Sequence, residues 1–185
     1  GTGTCAPSRA MLMTGRYPTR TGFEYTPTPP GMAPIVGMFA ADMLKEAKRQ
    51  GSDLPRPVWN YRAAMTAQRF QDMGLPGEEV TIADILKTKG YATLCVGKWH
   101  VGDTPETLPT AQGFDGYFGL PYSNDMARQK GWGNNAPDLD KIWAQKKWDI
   151  YKNEIRRDAD VYESPANQTT LTDRYTDEAV KFIRA

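Results

Sequence analysis

The sequence predicts an α/β fold, a mostly parallel sheet flanked by helices, and three observations carry that prediction. Helix signals over residues 81–90 run through a short turn into the apolar run 92–96, the alternation of an α/β unit. Apolar runs lie between helical patterns, and near-continuous apolar strands belong to parallel sheets covered on both faces. Lys98 and His100 follow the apolar run directly, at the carboxyl end of the strand, where open α/β sheets place their ligands.

Residues 5–16 read Cys-Ala-Pro-Ser-Arg-Ala-Met-Leu-Met-Thr-Gly-Arg. Pro7 suits a first helical turn, residues 10–13 are good helix formers, and Gly15 is a natural stop. Cys5 then stands at or just before a helix N-terminus, whose positive end favours an anion. Arg9, about one turn on, can reach back over that spot with a fork suited to a tetrahedral oxyanion. Residues 27–31 form a turn-rich loop, and 35–50 a helix with Phe39, Met43, Leu44 and Ala47 inward. Leu54-Pro55-Arg56-Pro57 breaks that pattern.

Thr81 and Asp84 approximate a capping box, Ile82, Ile85 and Leu86 form an apolar helical face, and Gly90 closes the helix. Residues 92–96 read as a buried strand in which Cys95 is apolar filler. Lys98 and His100, two apart on an extended chain, point to one face and pair a fixed cation with a titratable base. Residues 113–125 form a loop rich in glycine and aromatics that carries Ser123, with Asn124 and Asp125 as further candidates for substrate contact. Residues 128–163, with Trp132, Trp143 and Trp148 among many charges, predict loops and a short hairpin, bordering a substrate entrance or simply anchoring an insertion. In the last helix Leu171, Tyr175, Ala179 and Ile183 recur at helical spacing beside Val180 and Phe182, an amphipathic scaffold.

Composition closes several other routes. With 23 basic and 22 acidic residues the net charge is +1, so there is no footprint for nucleic acid and no polybasic membrane patch. No apolar run approaches the length of a transmembrane segment. Two cysteines and one histidine are too few for a structural zinc site, and no Cys-x-x-Cys pair supports a thiol redox protein.

The skeleton Cys5-x-Pro7-Ser8-Arg9 followed by Thr14-Gly15-Arg16 resembles the signature of the type I, formylglycine-dependent sulfatases. Gly97-Lys98-Trp99-His100-Val101-Gly102, the segment 113–125 with its Pro121-Tyr122-Ser123, and residues 163–172 resemble further segments of that arylsulfatase-like family. The resemblance implies a domain of the alkaline phosphatase superfamily that cleaves sulfate esters. It makes Cys5, Pro7, Ser8 and Arg9 the maturation motif read by a formylglycine-generating or other sulfatase-maturing enzyme, and the hydrated aldehyde from Cys5 the nucleophile. Cys5, Arg9, Lys98 and His100 are then catalytic. Lys98 and Ser123 bind the sulfate, and His100 takes the proton whose loss expels it. The substrate would be a sulfated small molecule or carbohydrate, and the compartment periplasmic, secreted or lysosomal.

The family also binds calcium, for which this chain offers only Cys5 as formylglycine. The Asp-Asp and Asp-Asn pairs that complete the site do not occur in it. Residues 1–185 therefore read as an incomplete segment of one sulfatase catalytic domain, lacking N- and C-terminal parts and inactive alone. Two other readings stay open: a phosphonate or phosphate monoester hydrolase of the same superfamily, and a non-catalytic sulfoglycan-binding module.

Overall fold

A computed structural model describes residues 3–27, 29, 44–51, 74–126 and 153–185. The three tryptophans of the insertion, residues 54–57 and most of the loop 27–31 lie outside these residues. Of the helix predicted over 35–50, residues 44–49 are described and are helical, with Leu44 and Ala47 on the less exposed side.

The first helix, α1 (Cys5–Thr14), starts and stops where its residues dictate. Gly15 adopts a left-handed φ of 66° and its N–H bonds the Met11 carbonyl at 2.8 Å, ending the helix. Ala6 and Ala10, one turn apart, are fully buried, so the helix backbone lies close against the core. A short α2 (Pro18–Thr21) follows, with proline at its first position. Beyond the loop, Arg16 reaches Glu79 at 2.8 Å and ties the end of α1 to the segment that leads into the third helix.

That helix, α3 (Ile82–Lys87), has the predicted capping box: Thr81 Oγ1 accepts from the Asp84 N–H and the Asp84 carboxylate accepts from the Thr81 N–H. Its turn closes at Gly90, whose N–H bonds Lys87, while Tyr91 bonds back to Leu86. The predicted apolar face is not the buried one. Ile82 and Ile85 are 47% and 54% exposed, and the residue turned inward is Ala83. At the capped end Thr81 Oγ1 donates to the Gln112 carbonyl at 2.8 Å, tying the start of α3 to the 3₁₀ turn Pro109–Gln112.

Four strands form one sheet in the order β1 (Leu94–Val96), β2 (Gly116–Gly119), β3 (Ile155–Arg157), β4 (Asp160–Glu163). The helix, turn and strand sequence over 81–96 and the hairpin are as predicted. The described sheet is mixed rather than mostly parallel, since β1 and β2 are parallel while β3 and β4 join antiparallel. A tight hairpin makes that unavoidable, because its strands must reverse. Asp158 turns it with φ 55° and exchanges two 2.8 Å bonds with the backbone of Tyr117, so the hairpin is locked to β2. The strand predicted over 92–96 is shorter and half-buried, with Ala92 exposed, because β1 is the edge of the described sheet.

Consecutive residues of β2 face opposite sides. Tyr117 joins Ala6, Ala10, Phe23, Leu75, Trp99, Val101 and Leu108 under α1, while Phe118 joins Leu120, Ile155 and Leu171 on the other side. There α4 (Leu171–Arg184) packs Tyr175 edge-on to Phe118, with Arg157–Glu178 and Arg174–Glu163 pairs around them. Ile183, which shares the helical spacing of Leu171 and Tyr175, is 80% exposed. Among the described residues no helix is long and apolar enough to cross a membrane.

Among the described glycines, Gly119 has the closest neighbour. A Cβ added there would lie 1.8 Å from the Gly97 carbonyl oxygen, a backbone atom that cannot swing away. Gly119→Ala should lower stability by about 3 kcal/mol or more, read as a lost urea midpoint. A variant as stable as the parent would refute this account of the β1–β2 contact.

Candidate active site

Three segments distant in sequence meet at one end of the sheet. The first is the start of α1. Cys5 is its first residue, Thr4 at the N-cap makes no side-chain bond, and Pro7 has no N–H to satisfy. Cys5 is half-buried at the positive end of the helix, beside buried Ala6 and Pro7.

The second segment follows β1. Residues 97–100 run alongside 118–121 and carry the parallel ladder past the strands: Gly97 N bonds Phe118 O at 2.9 Å, Leu120 N bonds Gly97 O at 3.2 Å, and Trp99 N bonds Leu120 O at 2.9 Å. Trp99 is buried, with its indole N–H on the Thr107 carbonyl at 2.8 Å. The register then slips, because His100 N bonds Pro121 O and the backbone turns left-handed at His100 with φ 61°. A bulky residue in that region stores on the order of 1–3 kcal/mol, which the surrounding bonds must hold. The strand alternation expected to send Lys98 and His100 to one face is therefore broken at His100, and the two side chains engage different partners.

His100 is fully buried. Its Nδ1 lies 3.2 Å from Cys5 Sγ and its Nε2 3.0 Å from the Pro27 carbonyl oxygen. A carbonyl only accepts, so Nε2 carries the proton and Nδ1 turns its lone pair toward Cys5. Burial pushes the imidazole down to about 4; the Pro27 bond opposes this, the Lys98 and Arg9 charges add to it, and Asp125 opposes it. At neutral pH the group at Nδ1 is thus an unprotonated base. Tyr122 stands edge-on to the ring at 6.0 Å, and its hydroxyl bonds Asp103, whose carboxyl burial pushes up.

Lys98 turns instead to the third segment, the continuation of β2, where its Nζ donates to Ser123 Oγ at 3.1 Å. Ser123 is buried, while Asn124 and Asp125 are exposed in the 3₁₀ turn Asn124–Met126. Arg9 links the first two segments. Its Nε donates to the Trp99 carbonyl at 2.5 Å and its Nη2 to the Lys98 carbonyl. The fork that was expected to reach over Cys5 grips the backbone of 98–99, and its charge is still felt at His100.

Of the sequence-predicted residues, Cys5 and His100 are brought into contact, as are Lys98 and Ser123, with Arg9 joined to the loop between them. Pro7 and Ser8 lie within α1. Pro27 and Tyr122 were missed. Pro27 acts through its carbonyl, which side-chain chemistry cannot signal, and Tyr122 passed as loop filler beside Ser123. Cys5 and Cys95 are both free, and burial pushes the Cys95 thiol up to about 12, in keeping with apolar filler. Among the described residues no group of three or more His, Cys, Asp or Glu side chains could hold a metal ion. The described side chain in contact with Cys5 is a neutral imidazole, whereas calcium needs about six oxygen ligands, so the described residues alone do not make up a calcium site.

The family model described as Sulfatase matches residues 1–185. The chain is 31% identical over 189 residues to arylsulfatase G of Mus musculus, covering 97% of this chain and 28% of that protein. It is 30% identical over 184 residues to N-acetylgalactosamine-6-sulfatase of Mus musculus, covering 97% of this chain and 27% of that one. It is also similar to the crystal structure of Ps i-CgsB, with a TM-score of 0.53 at 27% identity, over 97% of this chain and 30% of that one. A second crystal structure of that protein, in complex with k-i-k-neocarrahexaose, gives 0.51 at 26% identity. The chain thus spans less than a third of the length of these relatives.

The depressed His100 value has a stability consequence. The fold favours the neutral ring, so this contribution is complete above the ordinary value of 6.5 and is lost as pH falls toward about 4. Between pH 7 and 4.5 the parent should lose on the order of 2 kcal/mol more than His100→Gln, by urea unfolding. Equal losses would show that His100 is not held neutral.

Proposed function

The chain belongs to the sulfatase family, and from that premise we propose that its protein hydrolyses sulfate esters at position 5, with Cys5 oxidised to formylglycine by a formylglycine-generating enzyme. The observation that carries this reading is the 3.2 Å contact between Cys5 Sγ and the unprotonated Nδ1 of His100. In the matured protein a hydroxyl of the hydrated aldehyde stands where Sγ now lies. The hydrated aldehyde would supply one hydroxyl to attack sulfur, its proton passing to the alcohol that departs as its bond to sulfur breaks, and a second whose deprotonation would re-form the aldehyde and expel sulfate.

The residues around position 5 suit that chemistry. A sulfate ester presents sulfur behind negative oxygens, so cations that neutralise developing charge are the main requirement. Lys98 and Ser123, paired at 3.1 Å, offer an ammonium and a hydroxyl to a sulfate oxygen. Arg9 holds the backbone of Lys98 and Trp99 in place and adds a second positive charge. His100 receives the hydroxyl proton on Nδ1, while its Nε2–H stays on the Pro27 carbonyl, a bond that strengthens as the ring becomes positive. No step is assigned to a metal. The names of two relatives, a sulfatase of N-acetylgalactosamine-6-sulfate and a protein solved with k-i-k-neocarrahexaose, favour a sulfated carbohydrate as substrate.

Mass spectrometry of the peptide containing Cys5, from the intact protein co-expressed with a maturing enzyme, should show an aldehyde in place of the thiol. Lys98→Ala and His100→Ala should each lower kcat about 100-fold or more with the fold intact by circular dichroism. His100→Ala should also retain sulfur label from a labelled substrate on the protein. Aryl phosphonate turnover exceeding aryl sulfate turnover, or an unmodified Cys5 where a control sulfatase matures, would overturn the reading.

A further inference from the structure

We infer that Asn153 is a positioning residue for the anion-holding pair Lys98 and Ser123, an inference that rests on the function proposed above. Asn153 lies just before β3, thirty residues beyond Ser123, and is 2% exposed. Its Nδ2 donates to the Ser123 carbonyl at 3.3 Å and to the Asn124 carbonyl at 2.8 Å. Gln168 brings a second donor to the same Asn124 carbonyl at 3.0 Å. The backbone carbonyl of Asn153 accepts from the Ala166 N–H at 2.7 Å, so the residue is fixed between the hairpin and the approach to α4.

Chemistry fixes the orientation of this amide. Both targets are carbonyl oxygens, which only accept, so the NH₂ group must face them; the reversed amide would crowd three oxygens together. Oδ1 consequently faces away, buried and with no hydrogen-bond partner among the described residues. An open buried acceptor is unfavourable, so what the residue contributes is what its donors hold. They hold the carbonyl of the peptide joining Ser123 to Asn124 and that of the peptide after it, and Met126 N adds a 3.0 Å bond to the Ser123 carbonyl. With that peptide unable to rotate, the Cα–Cβ direction of Ser123 is set and Oγ stays within reach of Lys98 Nζ. Asn153 touches neither Lys98 nor Cys5 in these contacts and acts through Ser123.

The test uses the intact, matured protein, with para-nitrophenyl sulfate as substrate and inorganic sulfate as competitive inhibitor. Asn153→Ala should raise KM and the sulfate Ki together by about tenfold and change kcat by no more than about twofold. In a Ser123→Ala background the same change should have little further effect, because the two act as one unit. Unchanged KM and Ki, or a full additional factor on top of Ser123→Ala, would overturn the inference. Should Asn153→Ala fail to fold, Gln168→Ala removes the other donor to Asn124 and should raise both constants by a smaller factor; no change there would also overturn it. If neither Ser123→Ala nor Lys98→Ala moves the sulfate Ki, the functional reading itself fails and the inference falls with it. If Ser123→Ala moves Ki and Asn153→Ala does not, the inference alone fails.

Discussion

Everything at the candidate site depends on how closely residues 97–100 lie against 118–121. The approach is possible only because position 119 carries no side chain, leaving the Gly97 carbonyl room where a Cβ would sit. From that contact the ladder of β1 and β2 continues past the strands, and Lys98 comes level with Leu120. Trp99 is turned down into the core, where its ring meets Phe114 edge-on and anchors the loop. α1 then docks over this platform through Ala6 and Ala10, and Arg9 fastens it by bonding two loop carbonyls. The charged and nucleophilic side chains, which meet as the pairs Lys98–Ser123 and Cys5–His100, are thus placed by backbone bonds and apolar packing around them.

Burial gives His100 its chemistry. Taken out of water and set near two cations, the ring loses its proton well below neutrality, and the Pro27 carbonyl selects which nitrogen is left bare. A surface histidine in the same hydrogen bonds would be a weaker choice, being partly protonated at neutral pH. The strained backbone at His100 belongs to the same arrangement, because the register slip lets the ring face α1 instead of continuing the alternation of the strand. Strain at such a point is kept only where the surroundings over-determine it, and here the bonds to Pro121, Pro27 and Cys5 do so.

Much of this was legible in the residues. Pro7 and Gly15 bounded α1, Thr81 and Asp84 capped α3, and the alternation of helix and apolar run marked β1 and its carboxyl end. These are local effects, decided by capping and backbone freedom. What could not be read depended on contacts distant in sequence. Ile82 and Ile85 promised a buried face, but it is Ala83 that lies buried, in a helix whose start is tied to Gln112 by a bond distant in sequence. Ile183 kept the helical period of α4 yet is exposed among the described residues. The direction of β3 and β4 was invisible because a strand carries no mark of its partner. Pro27 and Asn153 escaped notice because one contributes a carbonyl and the other an amide that grips carbonyls, and neither residue type advertises that service.

The shared register also divides the chain by its tolerance to changes in length. β1 and β2 are parallel neighbours offset by a constant 22 positions, from Leu94 and Gly116 through Val96 and Phe118. Inserting or deleting one residue within 97–100 or 118–121 would reverse the side chains that follow and send Lys98 or Ser123 to the opposite face. The crossover between these runs is bound differently. It is pinned at Thr107 by the Trp99 indole and at Gln112 by Thr81 at the start of α3, while residues 105 and 106, just before the first of these pins, lie exposed. A lengthened chain there would bulge into solvent and leave the registered pair unmoved. Natural variation in length should therefore gather in the crossover and spare the two short runs that it joins.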